Sequence, residues 1–192
     1  MNKKYIITIA GKLGSGKSST AKKVAEILGY KHFSTGDFMR DMANKRNVSL
    51  GDLSLIAETD LSIDKDIDNY CLEIGEKERV VLDSRLGFYF IPKSFKVFLE
   101  LNPQIASQRI LEDKKNNPNR KTETSGSFDT EEAIIEKNQN RLSSEKKRYK
   151  ELYNIKDHIS HKNFDLVINT EKIPLEEVVK KVIEEYNKWI EN

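Results

Sequence analysis

The eight residues Gly11-Lys12-Leu13-Gly14-Ser15-Gly16-Lys17-Ser18 complete a G-x-x-x-x-G-K-S run, and that run leaves this chain few folds to choose from. What surrounds it matters as much as the run itself. Tyr5 to Ala10 reads as a short β-branched strand. Ser19 to Leu28 reads as a helix with Ala21, Val24, Ala25 and Leu28 on one face and Gly29 just past its end. A strand, a glycine-rich turn and a helix amino terminus together aim backbone N–H groups and a positive dipole end at one point. The group that suits such a point is a nucleotide polyphosphate. Gly11, Leu13, Gly14, Ser15, Gly16, Lys17, Ser18 and Ser19 are its expected cradle. Lys17 is expected to reach the β- and γ-phosphates of ATP, and the Ser18 hydroxyl to ligate Mg²⁺.

The remaining pattern extends this unit into an α/β domain. Strands are expected at Lys31 to Ser34, Arg79 to Asp83, Phe95 to Leu99 and Asp165 to Asn169. Helical stretches fall between them: Gly36 to Lys45, about Leu53 to Glu58, about Ile63 to Lys77, one opened by Pro103, one from Asp129 to about Tyr153, and a last one opened by Pro174. A loop is expected around Arg46 to Gly51. Strands alternating with helices imply a parallel sheet covered on both faces, with ligands at the carboxyl ends of its strands. From Asp113 to Ser127 no residue is apolar, so this stretch cannot join a core and reads as a flap.

Charge and composition narrow the partners. Lys plus Arg number 33 against 31 Asp plus Glu, so no global basic field points to nucleic acid or a membrane surface. No stretch approaches membrane-spanning length, and the apolar run after Lys3 and Lys4 is too short for a signal peptide. With Cys71 as the sole cysteine no internal disulfide can form, which suits a reducing cytoplasm. The expected particle is a cytoplasmic monomer of 192 residues in a single kinase-like domain.

Several charged residues fall where such a domain would use them. Asp83 ends a strand and can hold Mg²⁺ or simply cap a turn. Arg85, two residues on, can clamp a phosphate. Thr35 and Asp37 can cap the helix that starts there or bind a ligand, and Arg40 lies one turn into it. Arg141, Glu145 and Arg148 at i, i+4 and i+7 share one helix face. They form either a solvated ion-pair ladder or a pair of cations spaced by a carboxylate, able to meet transferring phosphoryl oxygens together with Arg109. His32, His158 and His161 have no metal-ligand spacing, and Cys71 reads as a core residue.

Taken together these blocks resemble the nucleoside monophosphate kinases of the adenylate kinase-like superfamily. Ser34-Thr35-Gly36-Asp37-Phe38-Met39-Arg40 is similar to that superfamily's S-T-G-D-x-x-R acceptor motif. Asp60-x-x-Ile63-Asp64-x-x-Ile67-Asp68, Ser144 to Lys150 and Asp165 to Thr170 resemble the archaeal-type cytidylate kinases in particular. The resemblance implies a P-loop NTPase fold with a five-stranded parallel core, an acceptor-binding insertion over about 36–78 and a lid over about 110–130. It implies ATP-dependent phosphorylation of CMP or dCMP with Mg²⁺. Lys17, Arg109, Arg141 and Arg148 would be catalytic, Thr35, Asp37, Arg40, Arg85 and Glu145 would bind the acceptor, and Ser18 and Asp83 would manage the metal. The chain departs from the family at Ser84, where glycine is usual, at Tyr89, where tryptophan is common, and in a longer polar flap. It lacks the D-G-F-P-R run of adenylate kinases proper. Two other readings stay open: a P-loop kinase of another nucleotide or small molecule, and a nucleotide-binding regulator with weak ATPase activity. Shikimate-like kinases carry a D-x-D run that Thr35-Gly36-Asp37 does not supply.

Overall fold

β1 (Ile6–Gly11) is the middle strand of an all-parallel sheet, with β3 (Val80–Asp83) on one side and β4 (Phe95–Glu100) on the other. In this computed structural model, which describes residues 4–116 and 130–192, β2 (Lys31–Ser34) and β5 (Leu166–Asn169) form the edges, giving the order β2-β3-β1-β4-β5. The chain winds outward from β1 in both directions. The crevice of such a sheet therefore opens at the carboxyl ends of β1, β3 and β4.

The strand alternation decides which residues face which helices. Ile7 and Ile9 turn to one face, where they meet Ala21, Val24 and Ala25 of α1 (Lys17–Leu28) and Val178, Val179, Val182 and Tyr186 of α8 (Leu175–Glu191). Ile6, Val80 and Leu82 turn to the other face, against Cys71 and Ile74 of α4 (Leu61–Gly75) and Ile91. Because both faces are buried there, the inner strands β1 and β3 read as nearly continuous apolar runs. A third, smaller cluster of Ala43, Leu53, Ala57 and Ile63 holds α2 (Thr35–Lys45) and α3 (Leu50–Ile56) to α4.

Several expectations shift at their edges. α3 begins at Leu50, inside the stretch expected to be a loop, because Ser49 and Asp52 form a capping box there. The cap of α2 is Ser34, whose hydroxyl accepts from the Asp37 N–H at 3.2 Å; neither Thr35 nor Asp37 plays that part. α6 (Pro103–Asn116) runs through Asp113 to Asn116, so these residues continue a helix and do not open a flap. The rest of the flap and Asp129 lie outside the described residues. α7 (Glu131–Tyr153) is capped by the Thr130 hydroxyl.

A short helix, α5 (Gly87–Phe90), was not expected from the sequence. It packs directly on β1, where Thr8 is buried and shares a 3.0 Å hydrogen bond with Ser94. A Cβ on Gly87 would stand 3.0 Å from both Cβ and Cγ2 of Thr8. Gly87→Ala is therefore expected to destabilise the fold by about 1–3 kcal/mol through overpacking, read as a lower midpoint in urea unfolding with unchanged slope.

Candidate active site

The loop between β1 and α1 is built so that its backbone lies open. Gly14 and Gly16 both take the left-handed conformation, at φ 78° and 81°. A Cβ on Gly14 would stand 2.9 Å from the Ala106 carbonyl oxygen, whereas one on Gly16 would meet only open space. Gly16 is also the N-cap of α1, so no side chain caps that helix, and its first turn holds no acidic residue. The N–H groups at this end are left for an anion.

Lys17 and Ser18 on the first turn of α1 converge on Asp83 at the end of β3. Lys17 Nζ lies 3.0 Å from Asp83 Oδ1, and the Ser18 hydroxyl donates to Oδ2 at 2.5 Å. β1 and β3 pair in register, Ile9 opposite Asp83, which is why the loop and the carboxylate meet. Burial pulls the Lys17 pKa down despite Asp83, and the fields of Arg85 and Arg141 pull the same way. The paired oxygens of Ser18 and Asp83 are the hard donors that Mg²⁺ takes. Among the described residues no group of three or more His, Cys, Asp or Glu could hold a metal alone. Ser18 and Asp83 alone would fill only part of a Mg²⁺ shell, which that ion completes with waters and phosphate oxygens.

Arg85 follows β3 by two residues and turns toward α7. Its Nε stands 3.0 Å from Glu145 Oε2, and Arg141 Nε stands 2.9 Å from Oε1 of the same carboxylate. Glu145 is only 7% exposed. Burial alone would raise its pKa, but Arg85 and then Arg141 outweigh it and hold the carboxyl below the usual range. Arg141 feels Arg85 as the strongest influence on its own pKa, a downward one, so the two cations are close enough to repel. The solvated ladder is therefore not what forms. Arg148 leaves that face's carboxylate to its neighbours and pairs with Asp64 of α4, Nε to Oδ2 at 3.0 Å, off the N–H axis.

A cleft of about 650 Å³ joins these parts, with Leu13 and Gly14 of the loop, Arg85, Arg141 and Glu145 among its lining. Thr35 also lines it, its hydroxyl donating to the Asp83 carbonyl at 3.3 Å. Ser84 lines it too, with its hydroxyl 3.7 Å from the Cys71 sulfur, so the family's missing glycine is replaced by a buried side chain. Asp37 and Arg40 pair with each other one turn apart on α2. Arg109 is placed elsewhere: its guanidinium donates to the carbonyls of Thr170 and Glu171, just past β5, at 2.8 and 3.2 Å.

The structure adds residues that sequence reasoning had not given roles. Asp64 and Asp68 sit at i and i+4 on α4 and both line the cleft. His158, 3% exposed, brings Nε2 to 3.7 Å from Glu145 Oε2, and burial keeps its pKa down. The signal for the aspartates was present, since carboxylates inside an apolar-periodic helix run need a partner or a ligand. His158 lies in a loop and gave none.

Comparison with known proteins fits this geometry. The family described as an AAA domain matches residues 10–125. A cytidylate kinase of Methanococcus maripaludis strain C5 is 35% identical over 173 residues, covering 87% of this chain and 89% of that one. An S-adenosylmethionine-dependent nucleotide dehydratase of Lacinutrix mariniflava is 32% identical over 184 residues, 95% of this chain but 36% of that protein. Among solved structures, the shikimate kinase from Bacteroides thetaiotaomicron shares the fold, with a TM-score of 0.63 at 16% identity over 94% of this chain and 97% of that one.

Glu145→Gln is expected to leave Arg85 and Arg141 without their shared anion and to cost about 3 kcal/mol in urea unfolding at neutral pH. The sign with pH follows from the depressed carboxyl. Its stabilisation is complete above the ordinary glutamate value of 4.5 and is lost as pH falls through the lower folded value. The gap between wild type and variant should therefore close on acidification below about pH 4.5.

Proposed function

From the premise that the chain belongs to the AAA-domain P-loop kinases that include the archaeal-type cytidylate kinases, we propose that it transfers the γ-phosphoryl group of ATP to CMP or dCMP. The observation that carries this reading is the meeting of Arg85 and Arg141 on one buried Glu145 beside the phosphate loop. Two repelling cations sharing a single anion leave positive charge in excess. A phosphoryl group with charge spreading over its oxygens would neutralise it. A nucleotide-binding module without transfer chemistry has no need of such a cluster beside its phosphate loop. The names carried by the relatives favour a cytidine nucleotide as acceptor, and the missing D-G-F-P-R run weighs against AMP.

In this reading the uncapped first turn of α1 and Lys17 hold the β- and γ-phosphates. Bound Mg²⁺ would neutralise the phosphate oxygens and lower the charge barrier to attack, with Ser18 and Asp83 as its protein ligands. Thr35, Arg85 and Arg141 orient the acceptor phosphate, and Glu145 fixes the spacing of the two guanidinium groups. Asp37 and Arg40, paired on α2, are assigned to the acceptor, and Arg148 braces Asp64. Arg109, beside the end of β5, is assigned to the ATP side. An acceptor oxygen attacks the γ-phosphorus while the bond to the β,γ-bridging oxygen breaks, leaving ADP. No general base is required, because a phosphate monoester with a second pKa near about 6 is already mostly ionised at pH 7. Catalysis then consists of positioning and charge stabilisation.

Lys17→Ala tests the assignment. Its kcat for CMP phosphorylation should fall by about 10²–10³-fold, with the circular dichroism of a folded chain retained, because one charge-stabilising donor is lost from the transition state. Turnover near the wild-type rate in the folded variant would overturn it.

A further inference from the structure

The cleft continues past the arginines to a second carboxylate whose needs are unmet. Asp64 and Asp68 share one face of α4, one turn apart. Asp64 has Arg148 as its counter-ion. Among the described residues Asp68 has a single hydroxyl as partner: Tyr153 Oη stands 2.9 and 2.8 Å from its two oxygens. One hydroxyl carries one proton, whereas a carboxylate can accept about four hydrogen bonds. Burial, with the charge of Asp64 adding to it, pushes the Asp68 carboxyl up to about 6. At neutral pH it is ionised in a place that resists ionisation, and a further donor would relieve it.

Tyr153 is itself held in place. Its ring packs edge-on against Phe90 at 5.6 Å and lies 5.6 Å from Tyr89 and 6.0 Å from Tyr149. The braced carboxylate therefore has a fixed direction. Its distance from the phosphate end also suits a nucleotide. Glu145 and Tyr153 are eight residues apart on α7, about 12 Å along the helix axis, which leaves room for a sugar between a phosphate on Arg85 and a base at Asp68.

We propose that Asp68, braced by Tyr153, selects the acceptor's base by accepting a hydrogen bond from its exocyclic amine. The inference rests on the monophosphate kinase reading above and names what that site discriminates. Cytosine presents an amine at its 4-position, and uracil presents a carbonyl oxygen at the same place. The amine supplies the donor that Asp68 lacks. The carbonyl sets a second acceptor against a partly buried anion, and selection by such an unpaired, repelling pair is stronger than selection by lost contact area.

The test is initial-rate kinetics of the full chain with ATP, Mg²⁺ and either CMP or UMP, for the wild type, Asp68→Asn and Tyr153→Phe. The wild type should favour CMP over UMP in kcat/KM by at least about 100-fold. Asparagine offers both an acceptor and a donor, so Asp68→Asn should bring that ratio to within about fivefold of unity, mainly by lowering kcat/KM for CMP. Tyr153→Phe keeps the charge and loses the brace, and should narrow the ratio by about fivefold to tenfold, within the span of a single ordinary hydrogen bond. The KM for ATP should stay at the wild-type value in both, a readout that general damage to the fold would move. If Asp68→Asn does not fold, the Tyr153→Phe ratio decides. Equal losses for CMP and UMP, or an unchanged ratio, would overturn the role of Asp68. A wild type that uses CMP and UMP equally would also overturn it while sparing the kinase reading. A wild type that phosphorylates neither would overturn the kinase reading itself.

Discussion

The carboxylate of Glu145 is the contact on which the rest of this site depends. It is buried, it lies within 3.0 Å of two guanidinium groups from separate elements, and without it those groups would repel. Burying three charges together seldom stabilises a fold, because desolvation consumes most of the Coulombic gain. Packed apolar residues of similar volume would hold α7 to the sheet as well or better. The cluster makes physical sense as a device for keeping surplus positive charge at a fixed spacing until an anion arrives. A transferring phosphoryl group needs that surplus, and it needs it before the reaction begins so that nothing has to reorganise.

The fold serves this one requirement by bringing three distant parts of the chain to one crevice. Parallel pairing of β1 with β3 sets Asp83 against Lys17 and Ser18. The turn after β3 then sends Arg85 toward α7, which crosses the carboxyl ends of the strands and returns Glu145 and Arg141. From Glu145 the same helix continues to Arg148 and Tyr153, each meeting an aspartate of α4. In the proposed reading, phosphate handling and base selection both fall on this one helix, at its middle and toward its end.

The loop, the strand order around it and the boundaries of most helices were legible because their signals are local: a fixed motif, a period of two or of 3.6, a cap or a breaker. The spacing of Arg141, Glu145 and Arg148 was legible too, but its meaning was not. Helix geometry allows Glu145 to serve both arginines, and only tertiary packing decides that it serves Arg141 and Arg85 while Arg148 goes to Asp64. Arg109 shows the same limit, since its hydrogen bonds run to carbonyls about sixty residues away. The cap of α2 fell to Ser34 because extended backbone at that residue lets its hydroxyl reach the Asp37 N–H, a choice that propensity alone could not make among Ser34, Thr35 and Asp37. Asp68 stood in the D-x-x-I-D-x-x-I-D run, which marked its place and not its role, and His158 carried no motif spacing; the environment of both exists only in the folded chain.

The measurement that bears most directly on this account follows the fate of the γ-phosphate. Phosphorus NMR of the full chain with ATP, Mg²⁺ and CMP should show ADP and CDP rising one for one, with inorganic phosphate no higher than in a sample lacking acceptor. Inorganic phosphate accumulating while CMP stays unchanged would contradict it, since the clustered cations would then be serving hydrolysis or binding and not transfer.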